Sequence, residues 1–137
     1  MSAMKILVFL QNAWGCEDGY IPTFNRESFC KSHTGKRLKE MLPDDATIII
    51  RNASPLVGIE SDSCYQPDLS YVRRCIKEIK PDLILACGIN ARYAVEKLGI
   101  KNVVFAPHPA YRKLSKQMTN KIKSVIEGEQ EEWAKQP

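Results

Sequence analysis

Lys80-Pro81-Asp82-Leu83-Ile84-Leu85-Ala86-Cys87-Gly88-Ile89-Asn90 is the stretch that decides the fold. Lys80-Pro81 stops a preceding helix, because proline disfavours the helical conformation in the residue before it. Leu83 to Cys87 is an unbroken apolar run of strand length. Gly88 turns the chain, and Asn90 is placed to cap a new helix with Ala91, Ala94, Val95 and Leu98 inward, ended by Gly99. A helix, a buried strand and another helix within so few residues is the grammar of a parallel sheet with crossover helices.

The same alternation extends in both directions. Upstream, Pro67-Asp68 opens a helix with Leu69, Val72, Ile76 and Ile79 at helical spacing, and Thr47 to Ile50 is a strand. Before that, a helix starts near Thr34, turns Leu38, Met41 and Leu42 to one face, and stops at Pro43. Ile6 to Leu10 is a first strand, apolar throughout as a strand covered on both faces should be. Downstream, Val103 to Phe105 is a fourth strand, and Met118, Ile122, Val125 and Ile126 mark a last helix. The expected architecture is a three-layer α/β/α domain with a four-stranded parallel sheet near 5–10, 47–51, 83–87 and 102–106. Residues 11–29 and 52–66 read as long loops, which in a compact domain are usually functional.

The chain has 137 residues, 44% hydrophobic and 26% charged, so a single globular domain is expected and disorder is not. No apolar run is long enough to span a bilayer. No charged-then-apolar leader is present, and five cysteines without regular spacing suit reduced thiols in a cytoplasm. The net charge of +4 is unevenly placed. Between His108 and Ile126 lie Arg112, Lys113, Lys116, Lys121 and Lys123 with no acid; Glu127, Glu129, Glu131 and Glu132 follow, in an acidic tail about 127–137. A basic stretch of this kind suits an anionic partner or a solvated helix face.

Ligands of parallel α/β sheets bind beyond the carboxyl ends of the strands. There the sequence puts Gln11-Asn12 after the first strand, Asn52 after the second and His108 after the fourth, with Trp14, Tyr20, Phe24, Phe29 and Tyr111 nearby. An asparagine amide offers a donor pair and an acceptor, which matches the edge of a pyrimidine. Aromatic faces can stack on a base, and an imidazole can donate to a carbonyl oxygen. The chain has neither GxxxxGK[ST] nor GxGxxG, which weighs against nucleotide-hydrolysing and dinucleotide enzymes. Cys16, Cys30, Cys64 and Cys75 lack a CxxC pair, so no metal and no cofactor is expected. Cys87, at the end of a strand, reads as a core residue.

These positions resemble the uracil-DNA glycosylase superfamily, nearest its compact bacterial and archaeal branch, from about Lys5 to Lys123. Gln11-Asn12-Ala13-Trp14-Gly15 stands where that branch has a Gly-Glu-Ala-Pro-Gly type motif. Phe29, Gly35, Leu38 and Leu42 resemble the base-stacking Phe and the segment after it, with one residue more than the usual spacing. Arg51-Asn52 stands for the family's Thr-Asn, and Ile79 to Ala91 is similar to Ile-Arg-Pro-Lys-Val-Ile-Val-Ala-Leu-Gly-Ala-Thr-Ala. His108-Pro109-Ala110-Tyr111 reads as the His-Pro-Ala-Tyr motif. Asn12 occupies the usual acid's position, as in the mismatch-specific branch, where an Asn positions a water. The cysteine pair that feeds an iron–sulfur cluster has no counterpart here, so no cluster is implied.

The resemblance implies a monofunctional DNA glycosylase, monomeric, with no membrane partner, in a bacterial, archaeal or phage-encoded cytoplasmic setting. Its base would be uracil or a modified pyrimidine, flipped out of single- or double-stranded DNA. Phe29, alternatively Phe24 or Tyr20, would stack on the base beside Trp14, and Asn52 would read its edge. His108 would donate to O2 as charge develops, and Asn12 with Gln11 would hold the attacking water. Tyr111, Arg112, Lys113 and Lys116 would grip the DNA. Two other readings are a non-catalytic DNA- or base-binding module of this fold and a small nucleotide- or metabolite-binding α/β protein.

Overall fold

The structure, a computed structural model, describes residues 4–14, 33–43, 45–58, 68–107 and 115–135; at 11–14, 33–35, 54–58, 130 and 132–135 it describes the backbone. The elements are β1 (Lys5–Trp14), α1 (His33–Met41), β2 (Thr47–Gly58), α2 (Leu69–Ile79), β3 (Leu83–Cys87), α3 (Ile89–Lys97), β4 (Val103–Ala106) and α4 (Lys116–Lys135). The strands form one sheet in the order β2-β1-β3-β4, and every pairing is parallel. Ile6, Val8, Leu10, Ile50, Leu85 and Val104 pack with Leu38 and Met41 of α1, Leu42 directly after it, and Ile126 of α4. On the other face, Leu7, Phe9, Ile84 and Ala86 pack with Val72 and Cys75 of α2 and Ala91, Ala94 and Val95 of α3. The fold is therefore a three-layer α/β sandwich.

The strand order explains which helix takes which face. From β1 the chain steps outward to β2, then crosses back over β1 to β3 and continues to β4. Right-handed crossovers stepping in opposite directions put their helices on opposite faces, so α1 parts from α2 and α3. The direction of travel reverses between β1 and β3, and a doubly wound sheet opens its binding crevice at such a reversal.

The amino edge of the sheet is held by a compact set of bonds. Lys5 N donates to Asp82 Oδ2 at 2.8 Å, Asp82 N donates back to Lys5 O at 2.8 Å, and Lys5 Nζ reaches Ile79 O at 3.1 Å. Asn102 Nδ2 donates to Asp82 O at 3.0 Å. Asp68 caps α2 by accepting from Tyr71 N at 3.0 Å, and Lys80 ends it in the left-handed region at φ 52°. Among the described residues no helix is long and apolar enough to cross a membrane.

Three boundaries differ from those expected. β1 runs to Trp14 and β2 to Gly58, so Gln11, Asn12, Trp14 and Asn52 lie in strands rather than in loops after them. Among the described residues β2 is an edge strand, and Pro55 is tolerated there because no further described strand needs its missing N–H. Asn12 pairs with Ser54 and Ala13 with Val57, so Pro55 and Leu56 are taken up in a bulge. α3 begins at Ile89 on Gly88 (φ 90°), so Asn90 lies inside the helix rather than at its cap. A glycine is needed there because that φ strains any residue with a Cβ.

In α4 the inward face is Thr119, Ile122 and Ile126, whereas Met118 and Val125 are 37% and 47% exposed. The expected face is thus rotated. Thr119 takes an inward place because its hydroxyl donates to Glu40 Oε2 of α1 at 3.2 Å and to Lys116 O at 2.9 Å. The acidic residues expected as a tail lie on the helix itself, which runs to Lys135.

Candidate functional site

The site is built from the last rungs of the inner sheet. Phe9 pairs with Ala86 and Ala86 with Phe105; one residue further, Leu10 pairs with Asn52 and Cys87 with Ala106. Beyond this level β3 gives way to Gly88 and β4 to the half-buried Pro107, while β1 and β2 continue as a two-stranded ribbon. Gly88 N donates to Ala106 O at 2.8 Å and ties the two inner ends together. Gly88 offers no side chain to cap α3, whose amino end therefore opens at the carboxyl edge, close to the reversal between β1 and β3.

Asn52 is the chemically informative residue. In the strand alternation it follows Ile48 and Ile50 onto the α1 and α4 face, beside an otherwise apolar cluster. It is 4% exposed, and its Nδ2 has no hydrogen-bond partner among the described residues. A buried donor without an acceptor costs about 1–3 kcal/mol. Such an amide has a donor free for a water or for a group that enters the edge.

Asn12 is two residues beyond Leu10 on the neighbouring strand, at the last rung before the bulge. The structure thus brings Gln11, Asn12, Trp14 and Asn52 onto one ribbon at the carboxyl edge. Lys116 is exposed in the first turn of α4. Tyr20, Phe24, Phe29, His108, Tyr111, Arg112 and Lys113 lie outside the described residues.

A second polar group lies on the opposite face of β2. The Tyr71 hydroxyl is buried without an oxygen or nitrogen partner among the described residues, one helical turn from Cys75. Burial, with Cys75 adding to it, raises Tyr71 to about 12; burial also raises the Cys75 thiol, and the Arg51 charge opposes both shifts. The Arg51 guanidinium is itself anchored on Ile50 O at 2.9 Å. The i,i+4 spacing of Tyr71 and Cys75 is the one signal of this pair in the sequence, and it looks like any inward helix face. Cys87, wholly buried, is raised to about 12 by that burial.

Burial thus favours the neutral thiol at both described cysteines, Cys75 and Cys87. Among the described residues no three His, Cys, Asp or Glu side chains gather as a ligand set. Cys16, Cys30 and Cys64 lie outside the described residues.

No family model, no curated protein and no solved structure matches the chain.

Proposed function

We propose that the protein is a monofunctional DNA glycosylase that takes uracil or a related modified pyrimidine into the crevice at the carboxyl ends of β1, β2 and β4. The observation that carries the reading is the buried, unpartnered Nδ2 of Asn52 at that edge. A base carbonyl would accept from it, and the amide oxygen would accept from the base N–H, so one side chain reads a donor–acceptor edge. The motif resemblance supplies the remaining roles. Phe29, Phe24 or Tyr20 stacks on the base next to Trp14. His108, two residues past the end of β4, donates to O2 as the glycosidic bond breaks. Asn12, with Gln11, positions the water that attacks C1′.

Asn12 has no proton-accepting carboxylate. It lowers the barrier by holding water in line, and the leaving base is stabilised by donors instead. Tyr111, Arg112, Lys113 and Lys116 follow β4 into α4 and meet the phosphates. The setting that fits is a bacterial, archaeal or phage-infected cytoplasm.

The test is a cleavage assay on oligonucleotides carrying uracil and a panel of damaged and modified bases, single- and double-stranded, followed by alkali. Strand scission at one base type supports the reading; intact strands with every base overturn it. The same absence of a carboxylate at Asn12 favours, as a second reading, a module that binds a flipped base and leaves it in place.

A further inference from the structure

The charges of α4 are laid out against the helix. Lys116, Lys121 and Lys123 occupy its amino-terminal half, and Glu127, Glu129, Glu131 and Glu132 its carboxyl-terminal half. The macrodipole favours the reverse, so this order does not serve the isolated helix.

Lys123 has Glu127 four residues on, but Lys121 and Glu129 have no opposite charge at such a spacing within the helix. Lys121 has Gln117 and Val125 four residues away and Met118 and Ser124 three away. Glu129 has Val125 and Trp133 at four, and Ile126 and Glu132 at three. Neither has an opposite charge at the spacings where helix side chains meet. The ion pairs among the described residues are Arg37–Glu40 and Arg92–Glu96.

Lys121 and Glu129 lie on one flank of α4, four residues to either side of Val125. Met118 and Val125 leave apolar surface on the same flank, 37% and 47% exposed. Gly128 lies there too, with nothing within 4 Å of where a Cβ would stand. Ile126 is the last buried residue of the helix among those described.

We infer that this flank is the contact of a homodimer in which two copies of α4 pack antiparallel about a twofold axis at Val125. The axis brings Lys121 of each copy to the height of Glu129 of the other, about 6 Å from the centre at 1.5 Å per residue. Two identical ion pairs then flank a Val125–Val125 contact, as an isologous interface requires. The basic half of each helix also lies against the acidic half of the other, which offsets the reversed dipole of both. A parallel arrangement would set lysine on lysine and glutamate on glutamate. Lys116, about half a turn away around the helix, stays outside the contact. A single domain of this size needs no partner to bury its core, so the sequence alone suggests a monomer; the flank of α4 argues for the pair.

Sedimentation of the full-length protein tests this, with circular dichroism as a check of folding. Wild type is expected to dimerise at low salt and to dissociate as salt rises from about 0.05 M to about 0.5 M, where screening shortens to a few ångströms. Lys121→Glu and Glu129→Lys, each alone, should weaken self-association at least tenfold. Mixed in equal amounts they should form a heterodimer, since one copy then carries two acids and the other two bases at the contact. The double variant K121E/E129K should recover the homodimer. A wild type that stays monomeric at high micromolar concentration overturns the inference. So do single variants that associate as wild type does, or folded single variants that fail to associate with each other.

Discussion

Leu10 and Asn52 face each other across β1 and β2, and both are buried, one an aliphatic side chain and one an amide with an idle donor. A leucine in place of Asn52 would better match the apolar face it shares with Leu10 and Ile50. The amide is therefore a local violation of core packing, and such violations concentrate at sites of function. It sits at the level where β3 and β4 end and β1 and β2 go on.

Asn52→Ala separates the two roles an amide could have. The substitution removes no Nδ2 hydrogen bond, so the unfolding free energy should change by less than about 1 kcal/mol or rise. Excision should fall at least about a hundredfold, because the base loses its partner. Urea melts and single-turnover excision on one preparation check this. A loss of several kcal/mol would mark the amide as structural. Asn52→Asp should shift base preference, since it exchanges a donor for an acceptor.

The rotated face of α4 yields a stability contrast. Ile126→Ala should cost about 2–5 kcal/mol, as for other fully buried isoleucines. Met118→Ala and Val125→Ala should each stay within about 0.5 kcal/mol for the monomer, because their exposed surface has little packing to lose. Denaturant midpoints at high salt, where self-association is screened, decide it. Equal losses at all three positions would restore the face expected from the sequence.

What could be read from the sequence follows from periodicity. The five-residue run Leu83–Cys87, buried throughout, has one reading, and Pro81 and Gly88 fix its ends. The cap of α2 by Asp68 is local chemistry and equally plain. In α4 the pattern is ambiguous, because Thr119 counts as polar until Glu40 of another helix supplies its partner. The extensions of β1 and β2 are hidden from the sequence because each strand is completed by the other, and Pro55 argues against a strand until β2 is known to be an edge. Asn52 is legible as a candidate, but its burial and idle donor depend on the opposite face of the sheet.

Alkaline pH should weaken the fold. An unfolded Cys87 thiol ionises near the usual 9.0, whereas burial holds the folded one to about 12. The folded state thus keeps a proton that the unfolded state loses, and its stability falls as pH rises through this window and is intact below it. Tyr71, raised from 10.0 to about 12, adds in the same direction in the upper part of the window. Urea midpoints measured at steps from about pH 8 to pH 11 should fall steadily above about 9. Cys87→Ala should flatten the first part of that fall. A thiol reagent should modify Cys87 only with unfolding; fast modification of the folded protein would contradict its burial.

Catalysis and DNA grip should be separable, because they belong to different parts of one segment. β4 ends at Ala106 with Pro107 half-buried at the carboxyl edge, and α4 begins at Lys116, exposed at the surface. In the proposed glycosylase, His108 would serve the base and Arg112, Lys113 and Lys116 the phosphates. His108→Ala should lower the single-turnover rate about a hundredfold or more with DNA affinity nearly unchanged, since its donor matters most as charge develops. Asn12→Ala should do the same by releasing the water. Replacing Arg112 or Lys113 should instead weaken binding to all sequences alike and flatten the salt dependence by about one unit of slope for each phosphate that is no longer neutralised. Lys116→Ala, at the exposed start of α4, should follow the second pattern. Steep salt-dependent binding with no base released would favour the binding module, and the His108 and Asn12 variants would then lose affinity rather than rate. Absence of any salt-dependent DNA binding would remove both DNA readings and leave the small-metabolite reading, for which Asn52 would still be the residue to probe.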